Sequence, residues 1–321
     1  MATSRKKISI ISPIYNEAEN LEPLCHRISE AMKSTSVDYE ILLVENGSYD
    51  ESLEIIRKLR KKNARIQFVS LSRNFGHQGA ILAGLSYASG HAVVSLDGDL
   101  QHPPELIPAM VRLWQEGYDV VYTTKDGRAK HDDWRFIPTR IFYWFMNLFT
   151  DVRLSYGQSD FRLLDRKVVN VINSIPERQK FLRGLIDWMG FRQTGLAYKT
   201  EARQFGESKF RLKHYVNFAI DGIFSFSTVP LRAILWLGLV VSGFCLLYVI
   251  FLLILYILNA SGVIVESLPP GWTTIAVSVI FIGSVQLVAL GVIGEYVARV
   301  YSQVKQRPDF ILREKSGPER K

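Results

Sequence analysis

Over the first hundred residues, short apolar runs alternate with amphipathic stretches. Ile8 to Ser12 reads as a strand ended by Pro13, Tyr39 to Val44 as a second, Ile66 to Leu71 as a third and Ala92 to Leu96 as a fourth. Between them, Asn20 to Met32 has helical spacing, Ser52 to Lys62 reads as a charged surface helix, and Gly79 to Ala88 as a helix of small residues. This βαβ alternation predicts a mostly parallel α/β sheet covered on both faces. Every strand ends in polar residues: Tyr15-Asn16-Glu17, Glu45-Asn46-Gly47-Ser48, Ser72-Arg73-Asn74 and Asp97-Gly98-Asp99. Four such ends on one sheet edge make a shared cleft, the place where open α/β sheets hold ligands.

Past Tyr122 the pattern loosens and turns basic. Phe136 to Phe149 is aromatic, with Ile141, Phe145, Leu148 and Phe149 on one helical face. Flanking arginines suit such a helix to a membrane interface, and a core helix gives the same pattern. Tyr215 to Phe226 repeats it after Lys209, Arg211 and Lys213. Ala233 to Leu258 and Trp272 to Gly294 are then charge-free runs of about 26 and about 23 residues, each long enough to span a bilayer. The loop between them, Asn259 to Gly271, lacks Lys and Arg, whereas both outer flanks are basic. The positive-inside rule therefore predicts a transmembrane hairpin with both termini cytoplasmic. Two helices leave little room for a transport path and read as an anchor. The predicted division is a cytoplasmic domain over 1–210, an interfacial helix over 211–230, the hairpin over 231–298 and a cytoplasmic tail over 299–321. That tail, polar after Arg313, reads as loosely ordered.

Composition agrees with a soluble part joined to a very apolar one: mean hydropathy is slightly positive although 22% of residues are charged. The net charge of +8 fits a membrane surface or nucleic acid equally, but the basic residues gather beside the aromatic helices, which argues against nucleic acid. Two cysteines, Cys25 and Cys245, offer neither a disulfide framework nor a zinc site. Neither a G-x-G-x-x-G nor a P-loop pattern occurs. His77, His102 and His214 share no metal-ligand spacing and read as surface or satisfied histidines. Asp97 and Asp99, two apart around Gly98, put hard oxygens on a turn suited to Mg2+ or Mn2+, although the same residues make ordinary solvated turns.

The ordered series Ile11-Ser12-Pro13-Ile14-Tyr15-Asn16-Glu17, Glu45-Asn46-Gly47-Ser48-Tyr49-Asp50 and Asp97-Gly98-Asp99-Leu100-Gln101 resembles inverting family 2 glycosyltransferases of the GT-A fold. Ser159 to Asp165, Phe181 to Gly184, Arg203 to Phe210 and Gly294 to Pro308 narrow the likeness to polyisoprenyl-phosphate glycosyltransferases. The two-helix form looks most like bacterial bactoprenol glucosyltransferases. The resemblance runs from Ile8 to Pro308. It implies that Asp97, Asp99 and Gln101 hold the metal and the donor diphosphate. Pro13, Tyr15, Glu17, Glu45, Ser72, Arg73 and Asn74 would cradle the nucleoside, although the family usually carries Asp at Glu45. Asp160 matches the acidic residue assigned as catalytic base, with an orienting role as the alternative, and Arg128, Arg135, Arg203, Ser208 and Lys209 are candidates for gripping phosphates of the donor or the lipid. The implied reaction moves a hexose, first glucose from UDP-glucose, to undecaprenyl phosphate at the cytoplasmic face of a bacterial inner membrane, and the likeness allows a homo-oligomer. GDP-mannose and a UDP-aminopentose are alternative donors. A processive synthase needs more spans and a Gln-x-x-Arg-Trp motif, and a non-catalytic scaffold has no use for the acidic series.

Overall fold

The computed structural model describes residues 6–125, 158–177, 180–198, 229–261 and 271–316. They fall into two compact units. One holds the sheet together with the chain from Arg307 onward; the other holds two long helices.

In chain order the first unit runs β1 (Lys7–Ile14), α1 (Leu21–Met32), β2 (Asp38–Glu45), α2 (Ser52–Lys62), β3 (Ile66–Leu71), α3 (Gly76–Tyr87), β4 (Ala92–Ser95), α4 (Ile107–Gln115) and β5 (Val120–Lys125). Next among the described residues come β6 (Gln158–Asp165), α5 (Arg166–Ser174), α6 (Leu182–Trp188) and β7 (Gln193–Tyr198). One mixed sheet has the order β7-β5-β6-β4-β1-β2-β3-β8, where β8 is Leu312–Lys315. β1 pairs in parallel with both β2 and β4, β2 with β3, and β5 with β7; β6 and β8 run against their neighbours. The predicted mostly parallel sheet is present.

Successive side chains of a strand face opposite ways, so continuous apolar strands feed two cores at once. Ile8, Ile10, Ile41 and Leu43 pack with α1, α2 and α4 through Leu24, Ile28, Ile56 and Met110. Ile11, Leu42, Val44 and Val93 face the other way, onto Ala80, Ala83 and Leu85 of α3 and Val168 and Ile172 of α5. Each such fully buried branched side chain contributes about 1.5–3 kcal/mol.

Three expectations are corrected. β1 continues through Pro13 to Ile14, in register with Val44 and Glu45. The missing N–H is tolerated because β4 has already ended at Ser95, opposite Ile11. α3 begins at Gly76, ahead of the predicted Gly79. The described tail is ordered: Leu312, Glu314 and Lys315 pair antiparallel with Leu71, Ser70 and Val69. An unpaired β3 edge is a strong template, and β8 satisfies it through its backbone while Leu312 packs against the core. Arg57 of α2 adds an ion pair to Glu314 at 2.6 Å.

In the second unit, α7 spans Val229–Ala260 and α8 spans Trp272–Val304. Among the described residues, Phe281–Val304 is the stretch long and apolar enough to cross a membrane. Trp236 and Phe244 on α7 and Leu287 and Val288 on α8 are exposed. Glu295 pairs with Arg299 one turn on, at 2.9 Å. The interfacial helices expected at 136–149 and over most of 211–230 lie outside the described residues.

Candidate active site

The strand order reverses its direction of growth between β1 and β4, which places a crevice at their C-terminal ends. The turn after β4 carries Asp97 and Asp99 into this crevice. Gly98 leaves the close approach open there: a Cβ would lie 2.7 Å from Ile14 Cδ1 and 3.1 Å from the Pro13 carbonyl oxygen. Leu100 follows at φ +61°, a left-handed conformation that a branched residue adopts at a cost of about 1–2 kcal/mol. Complete burial of its side chain offsets that cost and fixes the turn. The Gln101 N–H donates to Asp99 Oδ1 at 3.2 Å.

β6 runs antiparallel beside β4, so its first residues reach the same edge, with Ser95 opposite Arg162. Asp160 therefore comes next to the Asp97 turn. Both its oxygens accept from Arg183 on α6: Nε to Oδ1 at 2.9 Å and Nη2 to Oδ2 at 2.8 Å. Buried Arg162 approaches Oδ1 at 3.4 Å. Burial alone would raise the carboxyl, but Arg183, Arg162 and His77 outweigh it and hold Asp160 well below the usual carboxylate range.

Asp97 is gripped by two histidines. His77 Nε2 lies 2.8 Å from Oδ1, and His102 Nδ1 lies 3.5 Å from Oδ2. Burial pushes the Asp97 carboxyl up, and the two imidazoles overcome that push, leaving it lowered. In turn Asp97 raises His77 to about 9 against the opposing effect of burial.

The remaining strand ends form the rest of the rim. Glu45 is buried, accepting from the Ser48 N–H and the Ser70 hydroxyl, so its carboxylate organises the β2 turn from within. Gly47 sits at φ +71°, with the Arg73 carbonyl carbon 2.5 Å from where a Cβ would stand. Asn46 ties this turn to the next: its Nδ2 donates to Asn74 Oδ1 at 3.2 Å and its Oδ1 accepts from the Phe75 N–H at 2.9 Å. Ser72 and Arg73 are exposed, the Arg73 guanidinium stacking over Phe75 at 4.2 Å. Tyr15 meets Tyr49 edge to face, with centroids 6.3 Å apart. Glu17 accepts from Asn20 Nδ2 at 2.6 Å, at the start of α1.

The structure thus gathers Pro13, Tyr15, Glu17, Glu45, Ser72, Arg73, Asn74, Asp97, Asp99, Gln101 and Asp160 on one sheet edge. Arg128, Arg135, Arg203, Ser208 and Lys209 lie outside the described residues. Sequence reasoning missed Arg183, His77 and His102 as site residues, having read the histidines as surface or satisfied. Arg183 lies inside the Phe181–Gly184 stretch that carries the resemblance without being given a role there, whereas the contacts of His77 and His102, from α3 and a turn beyond β4, have no local spacing to mark them.

Among the described residues no group of three His, Cys, Asp or Glu forms a ready cage for a metal. Asp97 and Asp99 supply two hard carboxylates on one turn. That set fits a Mg2+ or Mn2+ ion whose coordination a ligand's phosphate oxygens complete.

Comparison with known proteins agrees with this geometry. An uncharacterized glycosyltransferase of Synechocystis is 42% identical over 98% of this chain and 96% of its own. The SfII prophage-derived bactoprenol glucosyl transferase of Shigella flexneri is 34% identical over 96% of this chain and 97% of its own. Among solved structures, mannosyl-3-phosphoglycerate synthase from Rubrobacter xylanophilus shares the fold at 16% identity, covering 83% of this chain and 78% of its own with a TM-score of 0.50. The family model for glycosyl transferase family 2 matches residues 9–172, from β1 into α5 and across both acidic elements of the site. The chain is a family 2 glycosyltransferase.

Proposed function

We propose that this glycosyltransferase moves glucose from a nucleotide-sugar, UDP-glucose, to polyprenyl phosphate at the cytoplasmic face of a membrane. The observation that carries the reading is the juxtaposition of the Asp97–Asp99 turn with the Asp160–Arg183 pair at one strand edge. Near full-length likeness to a protein named bactoprenol glucosyl transferase supports the sugar and the acceptor class. Two long helices with exposed apolar side chains support the lipid surface as the place of reaction. They act as a hairpin anchor, the loop between them facing away from the catalytic unit's side of the membrane.

Asp97 and Asp99, with Gln101, would hold a divalent ion, whose chemistry there would be Lewis-acid stabilisation of the departing diphosphate. Tyr15, Glu17 and the Ser72-Arg73-Asn74 turn border the nucleoside, and Glu45 shapes that border from behind. The acceptor's phosphate monoester has a second pKa of about 6 and reaches neutral pH mostly as a dianion. Removing a proton from it demands little. Asp160, ionised and committed to Arg183, orients that cation and the incoming phosphate, which attacks the anomeric carbon opposite the leaving group and inverts it. Arg128, Arg135, Arg203, Ser208 and Lys209 are proposed to reduce the repulsion between the two anions.

The test is a panel of radiolabelled nucleotide-sugars with undecaprenyl phosphate and either Mg2+ or Mn2+, followed by lipid extraction. Radioactive glucose in the lipid phase, dependent on both acceptor and ion, is the expected result. Selective labelling from GDP-mannose would replace the donor assignment. No lipid product from any donor would remove the acceptor assignment.

A further inference from the structure

The Asp97 carboxylate is held at both oxygens by rings from different parts of the fold. His77 comes from the first turn of α3, its Nε2 2.8 Å from Oδ1. His102 lies five residues beyond Asp97 and is buried, its Nδ1 3.5 Å from Oδ2. The other nitrogen of His102 is not idle: Nε2 is 3.0 Å from Ser159 Oγ, which also accepts from the Phe161 N–H at 3.3 Å. The ring is clamped in orientation, stacked on Phe161 with centroids 5.5 Å apart and edge-on to Tyr198 at 5.8 Å.

These contacts have one consistent polarity. A carboxylate facing Nδ1 selects the tautomer with its proton there, so Nε2 accepts from the Ser159 hydroxyl. Hydrogen bonds from the Phe161 N–H to Ser159 and between Ser159 and His102 Nε2, followed by the 3.5 Å ion-pair contact of His102 Nδ1 with Asp97, join the strand that carries Asp160 to the turn that carries Asp97. A ring N–H occupies one lone pair of a carboxylate oxygen and leaves the other for a cation. Outer partners of this kind fix the direction in which a ligating carboxylate points, and their loss typically weakens metal binding 10–100-fold.

We propose that His77 and His102 are positioning residues that aim the Asp97 carboxylate at the divalent ion, one ring to each oxygen, with Ser159 locking His102 to the Asp160 strand. This rests on the metal site of the proposed function and extends it to the side chains behind the Asp97 carboxylate.

The experiment titrates Mn2+ into the full-length chain in detergent with UDP present, reading free Mn2+ by electron paramagnetic resonance. His77→Ala and His102→Ala are expected to weaken Mn2+ binding by about tenfold or more. His77→Gln, which restores a donor near the Nε2 position, is expected to recover most of the loss. Ser159→Ala is expected to fall between wild type and His102→Ala. His102 is buried and its truncation can unfold the site, so the exposed His77 pair decides the matter alone if His102→Ala melts early. Affinities within twofold of wild type in His77→Ala, or tighter binding, would overturn the clamp while leaving the metal site standing. A wild-type chain that binds no Mn2+ would overturn both.

Discussion

Arg183 and Asp160 form a fork-to-fork pair, and that geometry changes what each residue does. A carboxylate accepting two guanidinium bonds is a poor proton acceptor at neutral pH, so its value lies in direction. Asp160→Asn keeps the shape but loses the charge that aims Arg183. Transfer is expected to fall by about 10²–10⁴-fold, with UDP affinity unchanged by calorimetry; near-normal turnover would show that the pair is only structural. Glu40 illustrates the same balance at the opposite end of the sheet. Burial opposes its ionisation, yet Lys7, Ser9 and Ser89 lower its pKa from 4.5. The unfolded chain therefore binds the extra proton, and the contribution of Glu40 is complete above pH 4.5 and lost as pH falls through its lower folded value. In Glu40→Gln, melting temperature is expected to drop at pH 7 and to depend less on pH between about 5 and 3. Cys25 is buried, with its thiol pushed up to about 12 by burial and by Glu22. It should resist alkylation at pH 8 until the fold opens, as mass mapping of labelled peptides will tell.

At the level of elements, the strands with long apolar runs were legible and those with polar interiors were not. β1 to β4 announce themselves because both faces are buried and nearly every residue is apolar. β6 carries Asp160 and Arg162 within its ladder, and β8 reads Leu-Arg-Glu-Lys, so neither has a hydrophobic period to detect. Their positions come from partners distant in sequence. The site divides likewise: Asp97, Asp99 and the strand-end residues follow from topology plus motif, whereas Arg183, His77 and His102 join only when three elements meet. Turns between strands carry their own constraint. Gly47→Ala would press a Cβ against the backbone of Arg73 from a left-handed φ, so the Ser72–Asn74 turn must move. A loss of about 1–3 kcal/mol in stability and a marked weakening of UDP binding are expected. Removing Leu312–Lys315 exposes the β3 edge; the ladder bonds lost correspond to about 2–4 kcal/mol, and light scattering should detect association of the truncated chain.

The whole molecule joins the strand-edge site to apolar helices through one continuous chain. Its division into a charged part and an apolar part was readable from composition, whereas the hairpin orientation is a proposal that rests on charge placement in the loops. Single cysteines offer a direct measurement: one in the Asn259–Gly271 loop should react with an impermeant maleimide on intact cells. One at Ser316 should react only after permeabilisation. The reversed pattern would invert the proposed orientation. The edge strand has a further consequence, in time. Val69 emerges from the ribosome long before its partner Lys315, and the apolar helices are made in between. At about 5–20 residues per second the nascent sheet waits tens of seconds with its border open. The last strand is available only after both apolar helices have left the ribosome, so a chain that stalls before Leu312 keeps an unfinished, adhesive edge.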